Sequence, residues 1–365
     1  MYLVLFAVLV IMVILCVGNR EGLMQSARLT QKNIIRTPLA TVVGGTVATK
    51  MIFKNHSTNV YRLLGNTNKT IILIHNSPFN VLVWMPLFMY VQSLKDAGKK
   101  IPNLLCYDLL GHGTAWVPVD KKYNDANIEN HAWEYKVFSD NLYDIYKKYI
   151  GSGKVTVVGY GFGGSVAQAF ALDHTDLVSE LYVLATSIGS TVTGIRDETQ
   201  YLVQWITKNP LVTYLTMEDQ FVQYNLCIWF QNNDKRICPY PENAKDTINT
   251  FGTVEYLLAD KMYREANCQT YLQINKLVST DNLHPGWEKA QLSFPVTFLV
   301  ANMDYYTNLN TVKQDIQVVQ KTTPSVTLYV SEGKHGFPLI YPAYIYNLIT
   351  GQDMSKNPLT IETVR

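Results

Sequence analysis

Residues 155–170 read VTVVGYGFGGSVAQAF, and no other stretch limits the fold as strongly. Val155, Thr156, Val157 and Val158 form a β-branched run that suits a buried strand. Gly159, Gly161, Gly163 and Gly164 then interrupt it, and an alanine-rich sequence with helical character follows at once. A strand that becomes a helix within so few residues needs glycine, for backbone angles other residues resist and for close backbone approach. Such a turn is one strand-to-helix step, and repeated along a chain such steps imply a mainly parallel sheet with helices on both faces.

The rest of the chain supplies that alternation. Two early segments, 41–53 and 59–65, read as strands joined by a short turn. TIILIH at 70–75 is a continuous apolar run of the kind buried in parallel sheets, and a largely apolar helix is expected over 81–94. NLLCYD at 103–108 is the next strand, followed by a glycine-punctuated loop and an amphipathic helix over 130–150. ELYVLA at 180–185 repeats the strand pattern. Between residues 187 and 291 the alternation stops, in a segment rich in Tyr, Trp, Asn and Gln that is too long for a loop and suits an inserted helical cap. It resumes with strands at 294–300 and 326–330 and helices at 309–321 and 342–349, and a loose tail is expected over 352–365.

The N-terminus differs in kind. Residues 2–18, YLVLFAVLVIMVILCVG, carry no charge, and as a helix they would reach about 25 Å, close to the roughly 30 Å of a hydrocarbon core. No Lys or Arg precedes the run, which argues against a signal peptide. Residues 1–19 are therefore expected to form an uncleaved transmembrane anchor, with 20–40 as a juxtamembrane connector. Arg20, Arg28, Lys32 and Arg36 follow the span and predict a cytoplasmic main domain. Cleavage of residues 1–18, with a lumenal or secreted domain, is the alternative; only there would the sequons at Asn55 and Asn68 be glycosylated.

A net charge of +2 with scattered basic residues gives nucleic acid no electrostatic footing. Among the cysteines, Cys106 lies in an apolar strand and reads as a buried free thiol. Cys227, Cys238 and Cys268 share no spacing that suggests zinc, so neither a metal nor a cofactor is expected.

Four landmarks then fall in order. His75-Asn76-Ser77-Pro78 is similar to a His-Gly-x-Pro loop, and Asp108-Leu109-Leu110-Gly111-His112-Gly113-Thr114 to an Asp-x-x-Gly-x-Gly-x-Ser loop. The glycine-rich turn resembles a nucleophile elbow, G-x-S-x-G, in which a strained strand-to-helix turn lifts a serine above the sheet. Asp304 and His335 follow the later strands in the positions of a triad acid and base. The chain thus resembles the α/β-hydrolase superfamily over roughly 41–351. That resemblance implies a mainly parallel eight-stranded sheet with helices on both faces, its core split into 41–186 and 292–351 by the cap at 187–291. It also implies oxyanion-hole amides at Ser77 and Phe162, and an Asp304–His335 pair in which the carboxylate fixes the imidazole tautomer.

The departure is Gly161, which stands where the serine should be and offers no group able to attack. Asn76 replaces the loop's usual glycine and is read as a residue tolerant of left-handed geometry. Three functions stay open: hydrolysis of ester or amide bonds by water activated at His335, a pseudoenzyme that keeps the pocket to bind a ligand or a protein partner, and cofactor-free lyase-type base catalysis. Aromatic residues of the insertion (Trp205, Tyr214, Tyr224, Trp229, Tyr256, Tyr271) and the anchor point to a small-molecule, lipid-like ligand.

Overall fold

A computed structural model describes residues 45–53, 57–115, 133–189, 281–304, 306–323 and 325–364, with isolated positions at 258, 262, 270, 273, 274, 277 and 278. The anchor, the connector, the sequon at Asn55, the three later cysteines and the named aromatic residues of the insertion lie outside them. No helix among the described residues is long and apolar enough to cross a membrane.

Among the described residues the sheet has nine strands, in the order β1-β2-β4-β3-β5-β6-β7-β8-β9. Strands β1 (Thr46–Ile52) and β2 (Ser57–Leu63) form an antiparallel hairpin, and β2 pairs antiparallel with β4 (Asn103–Tyr107). From there the sheet is parallel through β3 (Thr70–Ile74), β5 (Val155–Tyr160), β6 (Val178–Leu184), β7 (Val296–Ala301) and β8 (Val326–Ser331). All six residues of β5 are buried, as a central parallel strand covered on both faces requires.

The helices whose bounds fall among the described residues are α1 (Met85–Asp96), α2 (Tyr135–Tyr149), α3 (Phe162–Asp173), α4 (His284–Lys289), α5 (Leu309–Val319), α6 (Phe337–Ile340) and α7 (Pro342–Ile349). They cover both faces, and the strand pleat divides the core accordingly. Ile71 and Leu73 pack in one cluster with Phe88 of α1 and Ile345 and Ile349 of α7. Ile72 and Ile74 pack in the other with Phe138 of α2, Val166 of α3 and Ile316 of α5.

Two expectations need correction. The sheet has nine strands, because the expected loose tail forms a 3₁₀ turn (Met354–Lys356) and β9 (Thr360–Val364), antiparallel to β8. No residue of this edge strand is buried, so it needs no apolar run: Ile361 is 54% exposed, and Glu362 reaches out to Lys313 at 2.7 Å. The helix expected from residue 81 opens instead as a 3₁₀ turn, Val81–Trp84, capped by Asn80 Oδ1, which accepts from the Leu82 N–H at 2.9 Å. Pro86 lies in the first turn of α1, where its missing donor costs nothing. Cys106 is free and buried as expected, and burial pushes its thiol well up.

In the insertion, the described positions 258, 262, 270, 273, 274, 277 and 278 are helical. Leu258 and Met262 pack into one core cluster, and Ile274, Leu277 and Val278 into the other.

Candidate active site

The site lies where β3, β5, β7 and β8 end. At the β5–α3 turn, Gly161 has φ 53° and ψ −122°, an arrangement that costs a residue with a side chain about 1–3 kcal/mol and that glycine accepts freely. The turn has the strand-to-helix form of the expected elbow, with its strain relieved by glycine. Its geometry persists with no side chain on it. Gly163, two residues on, meets the end of β3 so closely that a Cβ there would strike the carbonyl oxygens of Ile74 and His75.

Asp304 and His335 come together from the β7 and β8 loops. His335 Nδ1 lies 3.0 and 2.9 Å from the two Asp304 carboxylate oxygens, and both side chains are almost wholly buried. Asp304 Oδ1 also accepts from the backbone N–H groups of Tyr306 and Thr307 at 2.8 and 3.0 Å. A carboxylate held this way assigns the proton to Nδ1 and leaves Nε2 as an acceptor. Tyr160, the last residue of β5, donates its hydroxyl to the His335 carbonyl at 2.9 Å and sets its ring against the imidazole.

Facing them is the 75–78 loop, which contains a cis Ser77–Pro78 bond. Here the sequence reading missed the decisive residue. Asn76 is buried, and its side chain enters the space where a side chain on residue 161 would stand. Its Oδ1 accepts from the Phe162 N–H at 2.7 Å, and its Nδ2 lies 3.1 Å from His335 Nε2. The two contacts fix each other: an oxygen must face the Phe162 donor, so the amide nitrogen faces the imidazole and donates to Nε2. Phe162, expected as an oxyanion donor, therefore spends its N–H on Asn76.

The remaining landmarks hold the loops in place. His75 Nε2 accepts from the Leu109 N–H at 2.9 Å, so Nδ1 carries the proton and donates to the Asn76 carbonyl at 2.9 Å. His112 Nδ1 donates to the Leu110 carbonyl at 3.1 Å, and Nε2 accepts the Ser77 hydroxyl at 3.0 Å. Burial keeps both rings neutral, lowering His75 to about 4 and His112 to about 3. Asp108 accepts from the Val81 and Thr114 N–H groups at 2.9 and 2.8 Å and from the Thr114 hydroxyl at 2.7 Å. Burial raises its carboxyl and these hydrogen bonds oppose the rise. Ser165, a second hydroxyl close in sequence, is fully buried on α3, with Tyr135 of α2 as a neighbour. Among the described residues no cluster of His, Cys, Asp or Glu forms a metal site.

Residues 69–316 match the alpha/beta hydrolase fold family, and the chain belongs to that family. No curated protein sequence is significantly similar to it. Among solved structures it resembles the Cif epoxide hydrolase of Acinetobacter nosocomialis, with a TM-score of 0.63 and 11% identity over 90% of this chain and 95% of the other. It also resembles the enol-lactonase of Burkholderia xenovorans, at 0.59 and 12% over 83% and 98%. A bacterial membrane phospholipase A aligns at 0.59 and 14% over 96% and 98%. At these identities the likeness is one of fold.

Proposed function

We propose that this chain is a non-acylating member of the α/β-hydrolase fold, a pseudoenzyme that binds a ligand through the pocket its relatives use for chemistry. The observation that carries the proposal is Gly161 at the tip of an intact elbow, with φ 53° and no side chain. Acyl transfer through an enzyme-bound intermediate needs a hydroxyl, thiol or carboxylate beside the base. Ser77 commits its hydroxyl to His112 at 3.0 Å, and Ser165 is buried. The His335 nitrogen that would receive a proton already accepts a hydrogen bond from the Asn76 amide.

The intact Asp304–His335 pair favours a second reading, in which His335 activates water or abstracts a substrate proton. Oriented bases support such steps without a covalent intermediate. In that scheme the Ser77 and Phe162 amides would stabilise the developing oxyanion. It requires Asn76 to release both His335 Nε2 and the Phe162 N–H first.

For the ligand we propose, by analogy with the aromatic insertion and the apolar N-terminus, a small, lipid-like molecule, held by a protein anchored through residues 1–19 with its main domain cytoplasmic. Short- and long-chain acyl esters incubated with wild type and with His335→Ala separate the two readings. Equal background rates in both proteins, together with a thermal shift on adding a long-chain fatty acid or monoacylglycerol, are expected. Turnover by the wild type that disappears in His335→Ala would replace the binding reading with water activation.

A further inference from the structure

The space above Gly161 is filled. A Cβ built on Gly161 falls on the Asn76 carboxamide, 2.5 Å from Nδ2 and nearer still to Cγ and Oδ1. No real side chain tolerates such an approach, so a residue larger than glycine at 161 must displace Asn76. Asn76 is only 5% exposed and both ends of its amide are engaged. Swinging it away would break both bonds and leave the buried Phe162 donor unpaired.

The two positions thus hold an exchange: the loop carries a side chain where the resembling motif has glycine, and the elbow carries glycine where that motif has a side chain. The Phe162 N–H wants a carbonyl oxygen and His335 Nε2 wants an N–H donor. A primary carboxamide supplies both from one planar group.

We propose that Asn76 is a resident occupant of a carboxamide-sized subsite at the elbow, and that Asn76 and Gly161 together, rather than Gly161 alone, set the chain's silence toward acyl transfer. This deepens the non-acylating reading above and rests on it. The occupied subsite lies between the end of β3 and the first turn of α3, with His335 as its third side.

Four proteins test it: wild type, Asn76→Gly, Gly161→Ser and the double variant, each treated with a fluorophosphonate and with p-nitrophenyl butyrate. Labelling located at position 161, with turnover at least about 100-fold above wild type, is expected in the double variant alone. Labelling of Gly161→Ser by itself overturns the proposal, because the site would then have room for the hydroxyl. A folded double variant that neither labels nor turns over also overturns it. Labelling of the wild type would instead overturn the non-acylating reading.

Thermal unfolding keeps the test decisive if a variant folds poorly. Gly161→Ser should lower Tm more in the presence of Asn76 than in the Asn76→Gly background, and equal losses count against the proposal. Acetamide should raise the Tm of Asn76→Gly but not of wild type, whereas N,N-dimethylacetamide, which lacks the N–H donor, should not. No selective effect of acetamide would mean that no carboxamide subsite exists.

Discussion

The two neutral histidines behind the site make a quantitative prediction about pH. Burial holds His75 at about 4 and His112 at about 3 in the folded protein, against about 6.5 in an unfolded chain. The folded values are the lower ones, so the unfolded chain binds more protons throughout that interval. The stability due to these rings is complete above about pH 6.5 and falls as pH drops toward the folded values. Between pH 7 and 5 the difference in proton binding amounts to about 2 kcal/mol per ring, or about 4 kcal/mol for both. That is a large part of the 5–15 kcal/mol typical of a domain. Asp108 works in the opposite sense at lower pH, because burial raises its carboxyl. The informative quantity is therefore the difference between proteins. Urea unfolding of wild type and of His112→Gln at pH 7 and pH 5 measures it: the variant should be less stable at pH 7 but lose about 2 kcal/mol less on acidification. Identical acid losses in the two proteins would refute the assignment of a buried neutral His112, as would a wild type that gains stability on acidification.

Other perturbations probe the frame around the site. Asp108→Ala leaves the buried Val81 N–H and the Thr114 N–H without their acceptor and should cost about 3 kcal/mol in chemical denaturation. Trp287 is wholly buried and donates to Gln168 Oε1 at 3.0 Å, so Trp287→Ala should cost about 3–5 kcal/mol, and Trp287→Phe clearly less. Deleting residues 360–365 removes β9 and bares the edge of β8, which should lower Tm and promote self-association visible by size-exclusion chromatography.

Much of this architecture is legible in the sequence because buried parallel strands advertise themselves as unbroken apolar runs. TIILI and VTVV became β3 and β5 for that reason. The tail hid β9 because none of its residues is buried, so an edge strand there needs no such run. The Asp304–His335 pair was legible too, since each residue follows a core strand whose direction the alternation fixes.

Asn76 was not legible. Sequence order shows what stands at 76 and at 161, but only coordinates show that a side chain at one position occupies the volume of a side chain at the other. The available signal was the pairing of two departures, a side chain gained in the loop and one lost at the elbow. A second hidden contact joins the Ser77 hydroxyl to His112 across 35 residues. It turns the glycine-rich loop from a mere turn into a support for the loop that carries Asn76.

The elbow proposed here, with glycine at 161, forms no acyl-enzyme. Incubating the wild type with a fluorophosphonate and mapping any adduct by peptide mass spectrometry tests this most directly. No adduct is expected on any residue of the site, Ser77 included, under conditions that fully label an active serine esterase run alongside. A stoichiometric adduct on Ser77, Ser165 or another side chain bordering Gly161 would contradict it.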